Sequence, residues 1–161
     1  MTTLTRRYRF PASHRLHSPE LSDARNAELY GKCNNPYGHG HDYVLEVTVG
    51  GEVDPVSGLL LPLPQLDRLV EEKVLRLFAY RFINKDVQEF QTLAATTENV
   101  ALYIADVLED TWGAYVQRRG VWLSRVYLRE TDRNGFEVRL KAASRGRMSH
   151  AGRKTVLAGD Y

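Results

Sequence analysis

The clearest structural signal in the sequence is an alternating segment, residues 43–49, in which apolar side chains recur at every second position. Those positions are Tyr43, Leu45, Val47 and Val49. Successive side chains of a strand point to opposite faces, so this pattern predicts a strand with one buried face. The fold must therefore contain a sheet and a second layer that covers its apolar face.

Four further segments carry strand signals: residues 3–10, 59–63, 121–128 and 136–140. The first is rich in β-favouring side chains and leads into Pro11, where we expect the strand to stop. The second follows a turn-forming stretch and is predicted to return as a strand beside the alternating one. The last two flank Asn134-Gly135, a pair that favours a tight antiparallel hairpin.

Two helices are predicted between these strand pairs. The first opens near Pro64, after which apolar residues recur at helical spacing as far as Phe78. The second begins at Thr96 or Thr97, where a hydroxyl can cap the first turn, and ends near Gly113. Its predicted buried residues are Val100, Ile104, Val107 and Leu108. Two consecutive helices between strand pairs indicate an α+β fold, with both helices on one face of an antiparallel sheet.

The domain is predicted to span residues 1–141. Residues 142–161 are polar and basic with few apolar anchors, so we expect them to form a mobile tail. Residues 12–40 are also irregular, apart from a short predicted helix near residues 23–30. A loop of this length inside a compact domain is uncommon and is usually functional. This loop contains three of the five histidines and the only cysteine, and a fourth histidine, His41, follows it directly.

Three of those histidines have the spacing of a metal site. His39 and His41 lie two residues apart, and at a strand edge such side chains project from the same face. The intervening Gly40 lets the backbone or a substrate approach closely. His14 lies just beyond the first predicted strand and joins the other two if the strands pair. Three histidines leave one coordination position open, as in catalytic zinc sites. Cys33 as a fourth ligand would instead close the site. The alternative to a metal site is that these histidines have ordinary hydrogen-bonding roles.

The composition excludes several classes of protein. A net charge of +2, with basic residues clustered only in the last twenty positions, indicates no dedicated nucleic-acid partner. The sequence contains no long apolar run, and the run at residues 59–61 ends at Pro62, so no segment is expected to span a membrane. A single cysteine excludes an internal disulfide framework and suits a reducing compartment. Because no apolar segment follows the first arginines, we expect no secretory signal and a cytoplasmic protein.

Five ordered blocks of the sequence resemble the 6-pyruvoyltetrahydropterin synthase family. They are FPASHRLHSP (residues 10–19), LYGKCNNPYGHGHDY (29–43), GEVDPVSGLLLPLPQL (51–66), TTENVALYI (96–104) and RETD (129–132). The resemblance implies the tetrahydropterin synthase fold, a four-stranded antiparallel sheet backed by two helices. It also implies a homohexamer, in which three subunits close a barrel and two trimers stack. The implied substrate is a pterin, 7,8-dihydroneopterin triphosphate. The implied reaction eliminates triphosphate and transfers oxidation state within the side chain, and its product is 6-pyruvoyltetrahydropterin.

The resemblance also assigns roles to the residues of the histidine loop. His14, His39 and His41 correspond to the zinc ligands of the family. The zinc would bind the side-chain oxygens of the substrate and acidify the adjacent C–H. Cys33 corresponds to the cysteine whose thiolate removes the side-chain proton.

Further residues correspond to the pterin pocket of the family. Glu130 matches the carboxylate that anchors the pterin ring, and a carboxylate is a suitable acceptor for the amino and amide N–H groups of that ring. Thr96, Thr97 and Glu98 match positions near the pocket. A plain helix cap also accounts for much of this second motif.

The sequence departs from the family at the Asp-His pair that activates the cysteine. The downstream Asp86 aligns this pair with Ala79 and Tyr80, neither of which can act as the relay: alanine is uncharged, and a phenol of pKa near 10 is a poor base. Because a free cysteine is only a few per cent thiolate at pH 7, the proton-transfer partner of Cys33 is left open. His17 is one candidate, and Tyr80 itself could donate a hydrogen bond or act as a general acid.

The leading hypothesis is a zinc-dependent pterin-processing lyase with slowed or altered chemistry. A first alternative is 6-carboxytetrahydropterin synthase of the queuosine pathway, which releases acetaldehyde. Members of that group usually have a shorter spacing than the five residues found here between Cys33 and His39. Aldolase-like cleavage of the side chain is a second alternative. A pterin-binding or metal-binding module without catalytic activity is a third.

Overall fold

One four-stranded sheet organises the part of the chain that the computed structural model describes, residues 1–141. Its strands are β1 (Thr2–His14), β2 (His39–Gly51), β3 (Trp122–Arg129) and β4 (Gly135–Arg139). They lie in the order β1-β2-β3-β4, and each neighbouring pair is antiparallel. The predicted α+β class and the four-stranded sheet implied by the resemblance are confirmed. The predicted tail, residues 142–161, lies outside the described residues.

The helices connect the strands in two groups. Between β1 and β2 lies α1 (Asp23–Tyr30), followed by a 3-10 turn, Gly31–Asn34. Between β2 and β3 lie α2 (Leu63–Val70), a π-helical turn (Glu71–Leu75), α3 (Arg76–Phe78), α4 (Ile83–Asp86), a 3-10 turn (Gln88–Gln91) and α5 (Thr97–Tyr115). The segment from α2 to α3 is one continuous helix. Among these described helices, none is long and apolar enough to cross a membrane.

The core lies between the sheet and the two long helices. It combines the alternating side chains of β2, which are Tyr43, Leu45, Val47 and Val49, with apolar side chains of the α2–α3 helix and of α5. Thr96 caps α5 as expected, because its hydroxyl accepts a hydrogen bond from Asn99 N at 3.3 Å. The helix continues to Tyr115, slightly beyond its expected end. Val107 is only half-buried, so its prediction as a core residue was wrong.

The expected end of the first strand at Pro11 was also wrong, because β1 continues to His14. β1 is an edge strand of the sheet, and an edge position tolerates a residue that has no N–H group. Pro11 stands opposite Asp42 of β2, and its carbonyl accepts a hydrogen bond from Tyr80 N at 2.7 Å. The continuation carries the strand pair as far as the histidines and so shortens the loop between β1 and β2.

The strand predicted at residues 59–63 is absent from the structure, and α2 begins at Leu63 instead. β2 already has β1 and β3 as partners, so a returning strand would find no free edge beside it. The backbone of this segment is paired in another way, since the guanidinium of Arg118 donates hydrogen bonds to the carbonyls of Leu59 and Leu60. Leu60 and Leu61 are buried in the core without forming a strand.

Candidate metal centre

Strand pairing brings the three histidines together at one end of the sheet. In the β1–β2 register His14 lies opposite His39, and Ala12 lies opposite His41. His39 and His41 project from the same face because they are two residues apart on β2. The ring centroids lie 4.7 Å apart for His14 and His39, 5.1 Å for His14 and His41, and 4.9 Å for His39 and His41. One ring nitrogen from each histidine lies within 4.8 Å of the other two, so the group could hold a metal ion.

His14 is fully buried and held in one orientation. Its Nδ1–H donates a hydrogen bond of 2.7 Å to the carbonyl of Ala95, and the hydroxyl of Tyr43 lies 3.3 Å from the same nitrogen. With the proton on Nδ1, the lone pair of Nε2 faces the other histidines. Burial lowers the pKa of His14 to about 4. The ring is therefore neutral at physiological pH, the form that binds a metal.

His39 is half-buried and also favours the neutral form. Burial lowers its pKa, and the neighbouring His41 acts in the same direction, since two cationic rings at this separation repel each other. Both effects favour unprotonated ring nitrogens within the group.

Two buried nitrogens in the group have no hydrogen-bond partner in the described part of the chain, His14 Nε2 and His41 Nε2. Glu130 Oε1 lies 3.3 Å from the first and 3.6 Å from the second. Leaving buried polar atoms unpaired costs free energy, and lone pairs that face one another repel. A cation between them removes both costs, and imidazole nitrogens are good ligands for zinc. The residues present therefore fit a metal ion.

Glu130 lies just past the end of β3 and joins the histidine group to α5. Thr97, the first residue of α5, donates a hydrogen bond of 2.5 Å from its hydroxyl to Glu130 Oε1. Thr97 is buried, whereas Thr96 forms the helix cap and Glu98 is exposed in the first turn. Of the three candidate pocket residues on this motif, Thr97 is the one that contacts Glu130.

Cys33 lies in the 3-10 turn after α1 and is half-buried. Its carbonyl accepts a hydrogen bond from Leu16 N at 2.9 Å, which joins the turn to the chain two residues beyond His14. Its sulfur is not among the ligand atoms that cluster within 4.8 Å of one another. The described geometry therefore favours three histidine ligands over a closed site with Cys33 as a fourth.

Ala79 and Tyr80, which the resemblance aligns with the relay pair, follow α3 directly. Ala79 packs against the core, whereas the side chain of Tyr80 is 87% exposed. Tyr80 has φ of 60°, in the left-handed region that few residues other than glycine adopt. Backbone hydrogen bonds hold this conformation, since Tyr80 N donates to Pro11 O at 2.7 Å and Ser13 N donates to Arg81 O at 2.9 Å. A cavity of about 660 Å³ lies beside this segment and includes Tyr80, His41 and Asp42 in its wall.

The glycine that permits close approach of the backbone is Gly38 rather than Gly40. A Cβ on Gly38 would lie 2.8 Å from His14 O and 2.8 Å from the ring of Phe82, and φ there is +71°. At Gly40 a Cβ would meet Ala12 O at 3.6 Å, an ordinary contact. Only glycine therefore fits at Gly38, next to the first histidine of the pair.

Two partners of the histidine group were not identified from the sequence. Ala95 acts through its backbone carbonyl, and its side chain carries no signal for this role. Tyr43 was assigned only to the buried face of its strand. Its hydroxyl is more informative, because a buried phenol requires a polar neighbour. Burial and the nearby Glu130 raise the pKa of Tyr43 above its usual value, so the phenol stays protonated.

Comparison with known proteins covers most of the chain. The sequence profile of 6-pyruvoyl tetrahydropterin synthase matches residues 3–141. The 6-pyruvoyl tetrahydrobiopterin synthase of Homo sapiens is 44% identical over 131 residues, which cover 81% of this chain and 86% of the human protein. A putative 6-pyruvoyl tetrahydrobiopterin synthase of Caenorhabditis elegans is 43% identical over 136 residues, or 84% of this chain and 93% of that protein.

Solved structures agree with the sequence comparison. The structure of Caenorhabditis elegans 6-pyruvoyl tetrahydropterin synthase matches with a TM-score of 0.78 at 40% identity, over 87% of this chain and 96% of that one. The Plasmodium falciparum 6-pyruvoyl tetrahydropterin synthase matches with a TM-score of 0.55 at 14% identity, over 85% and 96% of the two chains, which shows the fold alone. The match of the family profile across the described domain, together with these relatives, establishes that the chain belongs to the 6-pyruvoyl tetrahydropterin synthase family.

Proposed function

We propose that the chain is a zinc-dependent lyase that converts 7,8-dihydroneopterin triphosphate into 6-pyruvoyltetrahydropterin and triphosphate. The observation that carries the proposal is the convergence of three imidazoles beside the carboxylate of Glu130. The names of the human and nematode relatives, both 6-pyruvoyl tetrahydrobiopterin synthases, support the same substrate class.

His14, His39 and His41 would hold the zinc ion. When bound, the ion supplies Lewis acidity that polarises the side-chain oxygens of the substrate and makes the neighbouring C–H more acidic. The protein contributes orientation, since Ala95 O fixes the ring of His14 and the β1–β2 register fixes the other two rings.

Glu130 would bind the pterin ring. A carboxylate accepts hydrogen bonds from the amino and amide N–H groups of a pterin, and a planar ring presents these donors side by side. Thr97 occupies part of the acceptor capacity of Oε1 and so restrains the carboxylate. Thr96 and Glu98 would act at the margin of this pocket, with Thr96 engaged as the cap of α5.

Cys33 would remove the proton from the substrate side chain as a thiolate. Ala79 and Tyr80 lack the acid and base of the relay, so we expect slow turnover, with the phenol of Tyr80 as a hydrogen-bond donor or general acid. The same departure favours a second candidate function, a pterin-binding module without turnover. A changed route of proton transfer is also compatible with two other products, 6-carboxytetrahydropterin and the product of an aldolase-like cleavage.

Product analysis decides among these candidates. The purified protein, reconstituted with zinc, would be incubated with 7,8-dihydroneopterin triphosphate, and products would be identified by mass spectrometry together with triphosphate and acetaldehyde assays. The proposed lyase releases triphosphate and depends on Cys33. Acetaldehyde release would indicate the carboxypterin reaction. Tight pterin binding without any product, unchanged by Cys33→Ala, would contradict the lyase and identify a binding module.

We also propose that the protein acts in the cytoplasm as a homohexamer built from two trimers. β1 and β4 are the outer strands of the sheet, and such edges offer backbone groups for pairing with neighbouring subunits. Light scattering of the purified protein would give the mass of the assembly, which we expect to be about six times the 18.4 kDa of one chain.

A further inference from the structure

Three chain segments meet at Arg15, the residue that follows His14. The backbone N–H of Arg15 donates to Asn84 Oδ1 at 2.7 Å, and the side-chain amide of Asn84 donates to Arg15 O at 3.0 Å. Asn84 lies in α4, a few residues beyond Tyr80. These two hydrogen bonds join the end of β1 to the segment that carries the replaced relay pair.

The side chain of Arg15 makes the second connection, to the turn that carries Cys33. Its Nε donates to Asn34 O at 2.8 Å, and its Nη2 donates to Asn34 Oδ1 at 3.2 Å. One planar guanidinium thus contacts both the backbone and the side chain of the residue next to Cys33. A lysine ammonium carries its donors on a single nitrogen, so it cannot place two separate nitrogens against these two oxygens as the planar guanidinium does.

Asn34 closes the network on the Cys33 side. Its Nδ2 donates to Leu16 O at 2.7 Å and lies 3.1 Å from His17 Nδ1, while Leu16 N donates to Cys33 O at 2.9 Å. The turn is therefore attached to residues 15–17 through the backbone of Cys33 and through both ends of the Asn34 amide. Arg15, Asn34 and Asn84 are all half-buried, where a hydrogen bond is less exposed to competition from water.

We infer that Arg15 and Asn34, supported by Asn84, are positioning residues that hold Cys33 in a fixed relation to His14. Arg15 is covalently next to the histidine, and its guanidinium contacts the residue next to the cysteine. A proton acceptor loses rate steeply when it moves by about 1 Å from its reacting atom, so a rigid attachment of this kind has a direct effect on turnover. The inference rests on the proposed function in its assignment of Cys33, but it concerns residues to which that proposal assigns no role.

The test uses two independent readouts on Arg15→Lys and Asn34→Ala. Because Cys33 is the only cysteine, iodoacetamide reports on this one thiol without ambiguity. We expect the half-buried thiol to be alkylated at least about threefold faster in both variants, since the turn is released from its attachment. For triphosphate release we expect kcat to fall about tenfold or more while KM changes less than about threefold, because the contacts to the pterin are left in place. Zinc content should equal that of the parent protein.

Matched controls lie close by. Arg25→Lys alters an exposed arginine that pairs with Glu28 on α1, and Asn35→Ala removes an exposed amide whose oxygen accepts from Tyr37 N. Both controls should keep the parental alkylation rate and kcat. If Arg15→Lys or Asn34→Ala does not fold, Asn84→Ala replaces it, since this change leaves the guanidinium intact and removes only the bonds to the Arg15 backbone.

The positioning role is overturned if the alkylation rate and kcat of the folded variants remain within about twofold of the parent protein. Absence of turnover in the parent itself would contradict the proposed function instead. The alkylation comparison, which needs no substrate, would then decide the positioning role alone.

Discussion

The hydroxyl of Thr97 donates a hydrogen bond of 2.5 Å to Glu130 Oε1, so the first turn of α5 restrains the carboxylate that faces the histidine group. The same oxygen lies 3.3 Å from His14 Nε2. A substitution at Thr97 is therefore expected to affect substrate binding through Glu130 before it affects the fold.

Thr97→Val removes this donor and keeps the shape of the side chain. A hydrogen bond to a charged group contributes about 1.5–3 kcal/mol, so we expect KM for the pterin substrate to rise about tenfold or more, with a smaller change in kcat. Thr97→Ser keeps the hydroxyl and should stay close to the parent protein. Equal KM values for the valine and serine variants would show that the hydrogen bond does not contribute to substrate binding.

His39→Ala should abolish stable zinc binding. The parent protein, reconstituted and dialysed, should carry about one zinc per chain by elemental analysis, and the variant less than about a tenth of that. A metal that binds only the folded state also raises the melting temperature, so chelation should lower it in the parent and have little effect in the variant. His17→Ala is the matched control, since His17 lies outside the histidine group, and it should keep its zinc. Full zinc occupancy in His39→Ala would contradict the three-histidine assignment.

Cys33→Ser should separate metal binding from proton transfer. The hydroxyl is a far weaker base than a thiolate, so we expect triphosphate release to fall about a hundredfold or more. Zinc content and pterin affinity should remain at parental values, because Cys33 lies outside the cluster of ligand atoms. Loss of zinc in this variant would instead make Cys33 a ligand.

The double change Ala79→Asp with Tyr80→His should raise the rate of triphosphate release. A positioned general base contributes about 10²–10⁴-fold, and we expect an increase of at least about tenfold if the relay is all that is missing. Histidine also suits the left-handed backbone at Tyr80, where φ is 60°. Tyr80→Asn is the matched control, since asparagine adopts the same backbone conformation but offers no base. Equal rates for the two variants would argue against proton transfer at this position.

The acid stability of the protein should depend on Asp67. Two hydrogen bonds of 2.9 Å from Arg6, together with one of 2.8 Å from Tyr8, hold the pKa of Asp67 below its usual value. The stabilisation is therefore present above the unfolded pKa, near 4, and is lost as the pH falls through the lower folded pKa. Asp67→Asn should melt at a lower temperature than the parent near pH 6, and the difference should shrink toward about pH 2. Melting curves that stay parallel across this range would contradict the assignment.

Much of the architecture could be predicted from side-chain periodicity. The alternation from Tyr43 to Val49 and the helical spacing after Pro64 report burial directly, because apolar side chains must face the core in either element. The cap at Thr96 is local in the same sense. Such features depend on a few consecutive residues, so they can be recognised before the chain is folded. The hairpin of β3 and β4 is present, but the tight turn predicted at Asn134-Gly135 was wrong, because the loop spans residues 130–134 and Gly135 lies in β4 opposite Arg129.

Backbone partners from distant segments could not be predicted in this way. Pro11 remains inside a strand because β1 is an edge. Residues 59–62 form no strand because β2 has no free edge beside them, and Arg118 binds the carbonyls of Leu59 and Leu60 instead. The ring of His14 is oriented by the carbonyl of Ala95, 81 positions away in the sequence. Every residue has the same backbone carbonyl group, so the identity of a residue does not show which donor its carbonyl will bind.

The candidate site likewise combines features that local spacing predicts with features that only the tertiary structure determines. The spacing of His39 and His41 indicated by itself that two imidazoles share a face, and His14 required only the pairing of two strands. The contact of Thr97 with Glu130 and the attachment of the Cys33 turn through Arg15 were decided by tertiary structure alone. Local spacing determines which side chains project together, whereas the packing of helices and loops against the sheet determines which of them meet.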